Sequence, residues 1–264
     1  MKKKRNKMCV LCKNFFKNSE MSEEHYPARS AGNEDVVSFD FMKMIDLFMS
    51  GETKNYMEKS IKRGETVEQA SGRFFDEELS AALYPKGRTA RTLCRECNTF
   101  LGKYDEAYKK FFDNEGNNEI IKGFQNVTKV QIIKAVYAKF LSIPESKGME
   151  FDYVEFLREE NSEMYDGIWN IYCVKRDSTV DMFNFRTLDT GKLVYDEGVV
   201  FELSDEKFIF HLMNFTPHEG KVSMNIKDIL KKNYNLKSGR DLNNSGYHGE
   251  VVITKMFEQF PSIN

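Results

Sequence analysis

Residues 94–103 read CRECNTFLGK and contain a pair of cysteines with CxxC spacing. Its CxxC spacing also occurs in CVLC at residues 9–12. A CxxC lets two thiolates hold one tetrahedral ion from a tight turn, and two such turns complete a closed zinc site. We therefore predict a structural Zn²⁺ ion. Its ligands would be the thiolates of Cys9, Cys12, Cys94 and Cys97.

Length and charge limit the classes of protein to which the chain can belong. Its 264 residues suffice for one large domain or two modest ones. The net charge of -2 excludes a chain that coats nucleic acid over its whole surface. No stretch approaches the roughly 20 apolar residues that span a membrane, so we expect a cytoplasmic protein with no membrane partner. In that reducing compartment, paired cysteines indicate metal ligation rather than disulfides.

Residues with catalytic chemistry adjoin both cysteine pairs. Glu24 and His25 follow the first pair, and Asn98 comes directly after the second. A zinc ion shared by the two pairs would bring these three residues together, although they are far apart in sequence. A carboxylate and an amide oxygen suit a hard ion such as Mg²⁺ or Mn²⁺. A neutral imidazole beside them suits proton abstraction from water near neutral pH.

The order CxxC, Glu-His-x-Pro, CxxCN and Gly-Lys resembles that of the HNH nucleases with zinc-binding cysteines, a branch of the ββα-metal group. The resemblance covers about residues 9–112. It implies an endonuclease that hydrolyses phosphodiester bonds of nucleic acid, DNA in particular, in host defence or in a phage or mobile element. It implies His25 as the general base, with Glu24 and Asn98 as ligands of the catalytic Mg²⁺ or Mn²⁺ ion. It also implies a β-hairpin that carries His25 and packs on a helix beginning near Asn98.

Two positions leave alternatives open within this resemblance. Thr89 stands where the family has its middle Asn, which helps to orient the catalytic histidine. The Thr89 hydroxyl could hydrogen-bond in its stead. Glu23 is the alternative to Glu24 as a metal ligand. The alternative function is a catalytically inactive zinc-binding module that binds nucleic acid or acts as a scaffold.

Basic residues near the second cysteine pair are candidates for contacts with phosphate groups. Such contacts position a nucleic acid without reading its sequence. The alternative is that these side chains belong to a solvated charged loop. The residues are Arg91, Arg95 and Lys103.

The predicted architecture is α+β, in two parts. Residues 1–120 form a zinc-stabilised ββα-metal (HNH) nuclease domain with a helical insertion at about 33–85. Residues 121–264 form a mixed α/β domain with a mostly antiparallel sheet, expected to serve recognition, partner binding or dimerisation. Apolar periodicity predicts helices at 37–48 and 127–141, and Asp105 is the predicted N-cap of another helix. Alternation and turn residues predict strands at 168–174, 181–186, 192–203, 207–215, 221–226 and 250–257.

Overall fold

The computed structural model describes residues 6–34, 36–39, 41–84, 86–176, 190–217 and 224–238. They divide into two compact units, of which the second comprises residues 34–87. The segment predicted as an insertion, at about 33–85, overlaps this second unit. The first unit holds both cysteine pairs and the large sheet. The predicted boundary between residues 120 and 121 therefore falls inside the first unit.

The elements are named in chain order. The strands are β1 (Lys7–Met8), β2 (Phe15–Phe16), β3 (Glu24–His25), β4 (Val36–Phe39), β5 (Ser80–Tyr84), β6 (Thr89–Ala90), β7 (Asn170–Lys175), β8 (Thr190–Val194), β9 (Val199–Ser204), β10 (Phe208–Met213) and β11 (Met224–Asn225). The helices are α1 (Phe41–Met49), α2 (Glu52–Lys62), α3 (Val67–Phe74), α4 (Arg95–Asp113), α5 (Asn118–Ile121), α6 (Asn126–Phe140) and α7 (Val154–Arg158). Within the described residues, no helix is long and apolar enough to cross a lipid bilayer.

Helix α4 begins earlier than its predicted N-cap. We predicted that Asp105 caps this helix, but Cys94 does so, because its Sγ accepts a hydrogen bond from the backbone N–H of Cys97 at 3.5 Å. Asp105 therefore lies within the helix. Helix α6 agrees with the prediction for residues 127–141.

The second unit consists of the β4–β5 pair and helices α1 to α3. The prediction of a helix over residues 37–48 is wrong at its start, because β4 pairs with β5 and α1 begins only at Phe41. The β-branched residues Val36 and Val37 favour the strand. Thr66 caps α3 in a reciprocal exchange of hydrogen bonds with Gln69.

The C-terminal part of the first unit contains an antiparallel five-stranded sheet with the order β11-β7-β10-β9-β8. The prediction of one strand over 192–203 is wrong, because the chain turns between Tyr195 and Gly198 to form the β8–β9 hairpin. A Cβ at Gly198 would lie 2.3 Å from Oδ1 of Asn214, so only glycine fits there. The predicted strands at 181–186 and 250–257, and residues 221–223, lie outside the described residues.

Aromatic packing joins the cysteine-bearing helix to the sheet. Phe111 on α4 packs on Phe208 of β10 with ring centroids 5.0 Å apart, and Tyr108 packs on Phe210 at 6.1 Å. Phe208 and Phe210 alternate along β10 and so share one face of the sheet. Helix α4 also packs along α6. One continuous core therefore supports both the cysteines and the sheet.

Candidate metal centre and active site

The four paired cysteines form a cluster that could hold a metal ion such as zinc. Their sulfur atoms, from Cys9, Cys12, Cys94 and Cys97, all lie within 4.8 Å of one another. Tetrahedral coordination with Zn–S bonds of about 2.3 Å requires sulfurs about 3.8 Å apart. The sulfur separations, all within 4.8 Å, are compatible with this spacing.

Backbone N–H groups surround the first cysteine of the cluster. The chain turns tightly here, since the N–H of Cys9 donates to the carbonyl of Asn14, and that of Lys13 donates to the carbonyl of Cys9. The N–H of Cys94 donates to Sγ of Cys9 at 3.3 Å. Burial raises the pKa of the Cys9 thiol, but backbone donors including this one outweigh burial and lower it overall. These N–H groups thus favour the thiolate of Cys9, which is the form that binds metal.

The second cysteine pair lies beside the strand that carries Glu24 and His25. Met21 forms a β-bridge with Cys94, and the N–H of Ser22 donates to the carbonyl of Leu93 at 2.8 Å. Strand β3 then pairs antiparallel with β6. The antiparallel pair that carries His25 therefore joins two segments that are distant in sequence, so it is not the predicted β-hairpin, and α4 follows β6 along the chain.

Within this pair, Thr89 lies directly opposite His25, and Ala90 opposite Glu24. Directly opposed residues of an antiparallel pair project from the same face, with Cβ atoms about 5 Å apart. Thr89, which stands in the place of the family's middle Asn, is therefore adjacent to His25. In the first turns of α4, Nδ2 of Asn98 donates to Oγ of Ser22 at 2.9 Å. This contact places Asn98 against the segment that leads into β3.

Glu24 is buried, and its carboxylate binds a cation supplied by the protein itself. Nζ of Lys139, on α6, lies 2.5 Å from Oε1 of Glu24 and 3.1 Å from Oδ2 of Asp105. Burial lowers the pKa of Lys139, but the nearby carboxylates of Asp105 and Glu24 outweigh burial and raise it overall. Sequence reasoning missed Lys139, because no motif links it to a residue 115 positions earlier.

The predicted site for a divalent ion matches the donor chemistry only in part. The Glu24 carboxylate and the Asn98 carboxamide are oxygen donors of the type that Mg²⁺ and Mn²⁺ prefer. However, Lys139 already neutralises Glu24. The alternative ligand, Glu23, forms an ion pair with Arg91. An ion at Glu24 would therefore have to displace the Lys139 ammonium.

Asn33 is a further residue of the site that sequence reasoning missed. Its side chain is fully buried, and Nδ2 donates to the carbonyls of Pro27 at 2.8 Å and Arg88 at 2.9 Å. Its Oδ1 accepts a hydrogen bond from the N–H of Arg88 at 2.6 Å. Since Pro27 follows β3 and Arg88 precedes β6, Asn33 ties together the two backbones at the His25 end of the pair.

The three basic residues proposed as phosphate contacts each have a partner within the protein. Guanidinium groups bind the loop before β3, since Arg91 donates to the carbonyl of Asn18 at 3.3 Å and Arg95 to that of Ser19 at 3.1 Å. Lys103 forms an ion pair with Glu160 and lies over a neighbouring phenyl ring. These side chains therefore brace the protein surface, and phosphate would have to compete for them.

A buried carboxyl group lies behind the site. Asp105 and Lys139 line a cavity of about 10 Å³ together with Asp205. Burial raises the pKa of Asp205 to about 6, although hydrogen bonds from Tyr108 and from the backbone N–H of Lys207 act in the opposite direction. The Tyr108 hydroxyl donates to Oδ2 of Asp205, on the turn between β9 and β10. The sequence carried no signal for this pair.

Comparison with known proteins identified no relative of this chain. A scan against protein-family models, a search of curated proteins and a search of solved structures each found no match.

Proposed function

We propose that this chain is a metal-dependent endonuclease of the HNH type that hydrolyses phosphodiester bonds of nucleic acid, DNA in particular. The observation that carries the proposal is the position of His25. It lies on a short antiparallel pair that runs directly into the cysteine cluster and helix α4. The contact between Asn98 and Ser22 adds an amide group beside the same strand. The ion in the cysteine cluster would be structural Zn²⁺.

His25 is the proposed general base. Its side chain is half-buried, so the ring is held by the protein and still reaches solvent. In the proposed reaction the imidazole takes a proton from water, and the water oxygen forms a bond to phosphorus. The bond from phosphorus to the 3′ oxygen then breaks, and the departing oxygen takes a proton from a solvent water. General-base catalysis of this kind contributes about 10²- to 10⁴-fold to the rate.

Glu24 and Asn98 are the proposed ligands of a Mg²⁺ or Mn²⁺ ion. When bound, such an ion would neutralise charge on the scissile phosphate. Glu24 would first have to release Lys139, which could remain paired with Asp105. The partner of the chain would be nucleic acid, and a protein partner or a second copy would bind through the C-terminal part.

The test is cleavage by the wild type and by His25→Ala. Both proteins are treated with a mild chelator that leaves zinc in place, which elemental analysis verifies. Mg²⁺ or Mn²⁺ is then returned with plasmid, linear duplex, single-stranded DNA or RNA. We expect at least about a 100-fold loss of cleavage in the variant. Ser30→Ala, a change at an exposed residue of the following turn, is the control. Equal cleavage by wild type and His25→Ala would refute the assignment of the base.

A second candidate is a non-cleaving zinc module that binds nucleic acid or acts as a scaffold. The ion pair between Glu24 and Lys139 favours it, because the carboxylate is already neutralised. Thr89, in the place of the family's middle Asn, favours it as well. Binding of nucleic acid by the wild type, with no cleavage of any substrate in either metal, would select this candidate.

A further inference from the structure

The hairpin at the first cysteine pair exposes an aromatic side chain. Phe15 is 68% exposed, and Met8, directly opposite it on the neighbouring strand, is 45% exposed. The adjacent Phe16 packs against the core. Among the residues that the structure describes, Phe15 contacts no other ring. An aromatic face is therefore presented to solvent from a strand.

Two lysines lie within two residues of Phe15 along the chain, and their charges are not neutralised within the described part of the chain. Lys13 and Lys17 are both exposed, and neither forms an ion pair with a described residue. They differ in this respect from Arg91 and Lys103, which have acidic partners. The sequence adds four more basic residues at positions 2–5, which lie outside the described residues. The hairpin is thus a concentrated source of positive charge that is available to a ligand.

The cysteine cluster fixes the backbone beneath this face. The turn between Cys9 and Asn14 is closed by backbone hydrogen bonds, and the N–H of Val10 donates to the carbonyl of Thr92 at 3.0 Å. The hairpin is therefore tied both to the cluster and to the segment that precedes α4. A ligand would meet side chains on a scaffold that is already ordered, which reduces the entropy lost on binding.

We propose that Phe15, with Lys13 and Lys17, forms a docking surface for single-stranded nucleic acid. A base would stack on the Phe15 ring while the lysines contact the phosphates on either side, as sequence-tolerant binders of single strands do. Bases in a duplex are already stacked on one another, so a duplex could use only the lysines. One phenylalanine and one methionine bury too little apolar surface to anchor the chain in a membrane. This surface does not depend on hydrolysis, because binding requires neither His25 nor a divalent ion.

Fluorescence anisotropy with a labelled oligothymidylate, in chelator-treated buffer with zinc retained, tests the surface. We expect Phe15→Ala to weaken binding about tenfold or more, and Phe15→Trp to retain it. The Lys13→Gln, Lys17→Gln double variant should lower the salt slope of the affinity by about 1.4, since each phosphate contact contributes about 0.7. Lys147→Gln and Ile168→Ala, at exposed positions elsewhere, are the matched controls.

Several results would overturn this proposal. Wild-type affinity in Phe15→Ala, with zinc content unchanged, would remove the stacking role. Tighter binding of duplex DNA or of anionic phosphatidylserine vesicles than of the single strand would assign the surface to another partner.

Loss of cleavage in His25→Ala with unchanged oligonucleotide binding would support a docking surface separate from the base. If the wild type cleaves no substrate, the proposed nuclease activity is refuted, but the binding measurements still decide whether Phe15 forms a docking surface.

Discussion

The ammonium group of Lys139 lies 2.5 Å from the carboxylate of Glu24, so a cation from α6 neutralises the residue beside His25. The same ammonium reaches Asp105 on α4 at 3.1 Å. One buried charge therefore connects β3, α4 and α6. Removing charged groups from water is unfavourable, and the attraction between the buried charges offsets this desolvation only while every partner is present.

Lys139→Met should strongly destabilise the protein. The change leaves the buried carboxylate of Glu24 and the partly exposed carboxylate of Asp105 without a cation, and breaking a buried pair costs about 3–5 kcal/mol. Urea unfolding of the zinc-loaded protein measures this loss. Lys109→Met removes a lysine that pairs with Asp113 on the exposed surface of α4, and it should cost under about 1 kcal/mol. Similar losses of unfolding free energy in the two variants would show that Lys139 stabilises the protein no more than a surface ion pair does.

Lys139 should compete with Mn²⁺ for Glu24. In Lys139→Gln a neutral side chain replaces the ammonium, so we expect Mn²⁺ to bind about tenfold more tightly. Glu24→Gln should abolish this binding in both backgrounds. Electron paramagnetic resonance of free Mn²⁺ during titration gives the affinities. If Lys139→Gln, with its zinc retained, binds Mn²⁺ no better than the wild type, Lys139 does not compete for Glu24.

The local chemistry of the cysteine cluster could be predicted from the sequence. Two CxxC units specify a tetrahedral site whichever path the chain takes between them, so four ligands and their neighbours were identifiable. Helix α6 was predictable because its apolar residues recur over fifteen positions. The start of α4 was not, because Cys94 caps the helix through its sulfur, and cysteine is not among the usual capping residues.

The contacts between distant segments could not be predicted. Glu24 and Lys139 are 115 residues apart, and Asn33 and Arg88 are 55 apart. Neither pair belongs to a spacing motif, and buried lysine is rare enough that the sequence favours an exposed position. The tertiary fold brings such groups together, and only the structure shows which carboxylate is already neutralised.

Removal of the metal should unfold the cysteine-bearing region before the sheet. The cluster fixes the turn at Cys9 and the segment around Cys94, whereas β10 is held by the aromatic core. We expect about one zinc per chain, because four thiolates complete one tetrahedral site. Zinc loss in Cys97→Ala should abolish amide protection at Val10 but preserve it at Leu212. Hydrogen exchange measures both sites.

Cys173 provides the matched control for this experiment. It is buried in β7, apart from the cluster, so Cys173→Ala should retain zinc and the amide protection of both regions. Full zinc content in Cys97→Ala would contradict the assignment of the ligands.

Asn33→Ala should loosen the end of the pair that carries His25. The change leaves the carbonyls of Pro27 and Arg88 and the N–H of Arg88 without their buried partner. An unsatisfied buried group costs about 1–3 kcal/mol, so we expect a loss of at least about 2 kcal/mol in unfolding free energy. Asn114→Ala, at an exposed amide that caps a carbonyl of α4, should cost about 1 kcal/mol or less. Equal effects would exclude a bracing role for Asn33.

Asp205 should make the stability of the protein decrease between about pH 4 and pH 6. Burial raises its pKa from 3.8 to about 6, so within this range the folded chain holds a proton that the unfolded chain releases. The contribution of Asp205 is therefore fully present below pH 3.8 and is lost as the pH rises through 6. Relative to Asp205→Asn, the wild type should lose up to about 3 kcal/mol over this interval. Urea unfolding of both proteins at several pH values measures the difference, and a difference independent of pH would show that Asp205 ionises alike in the folded and unfolded chains.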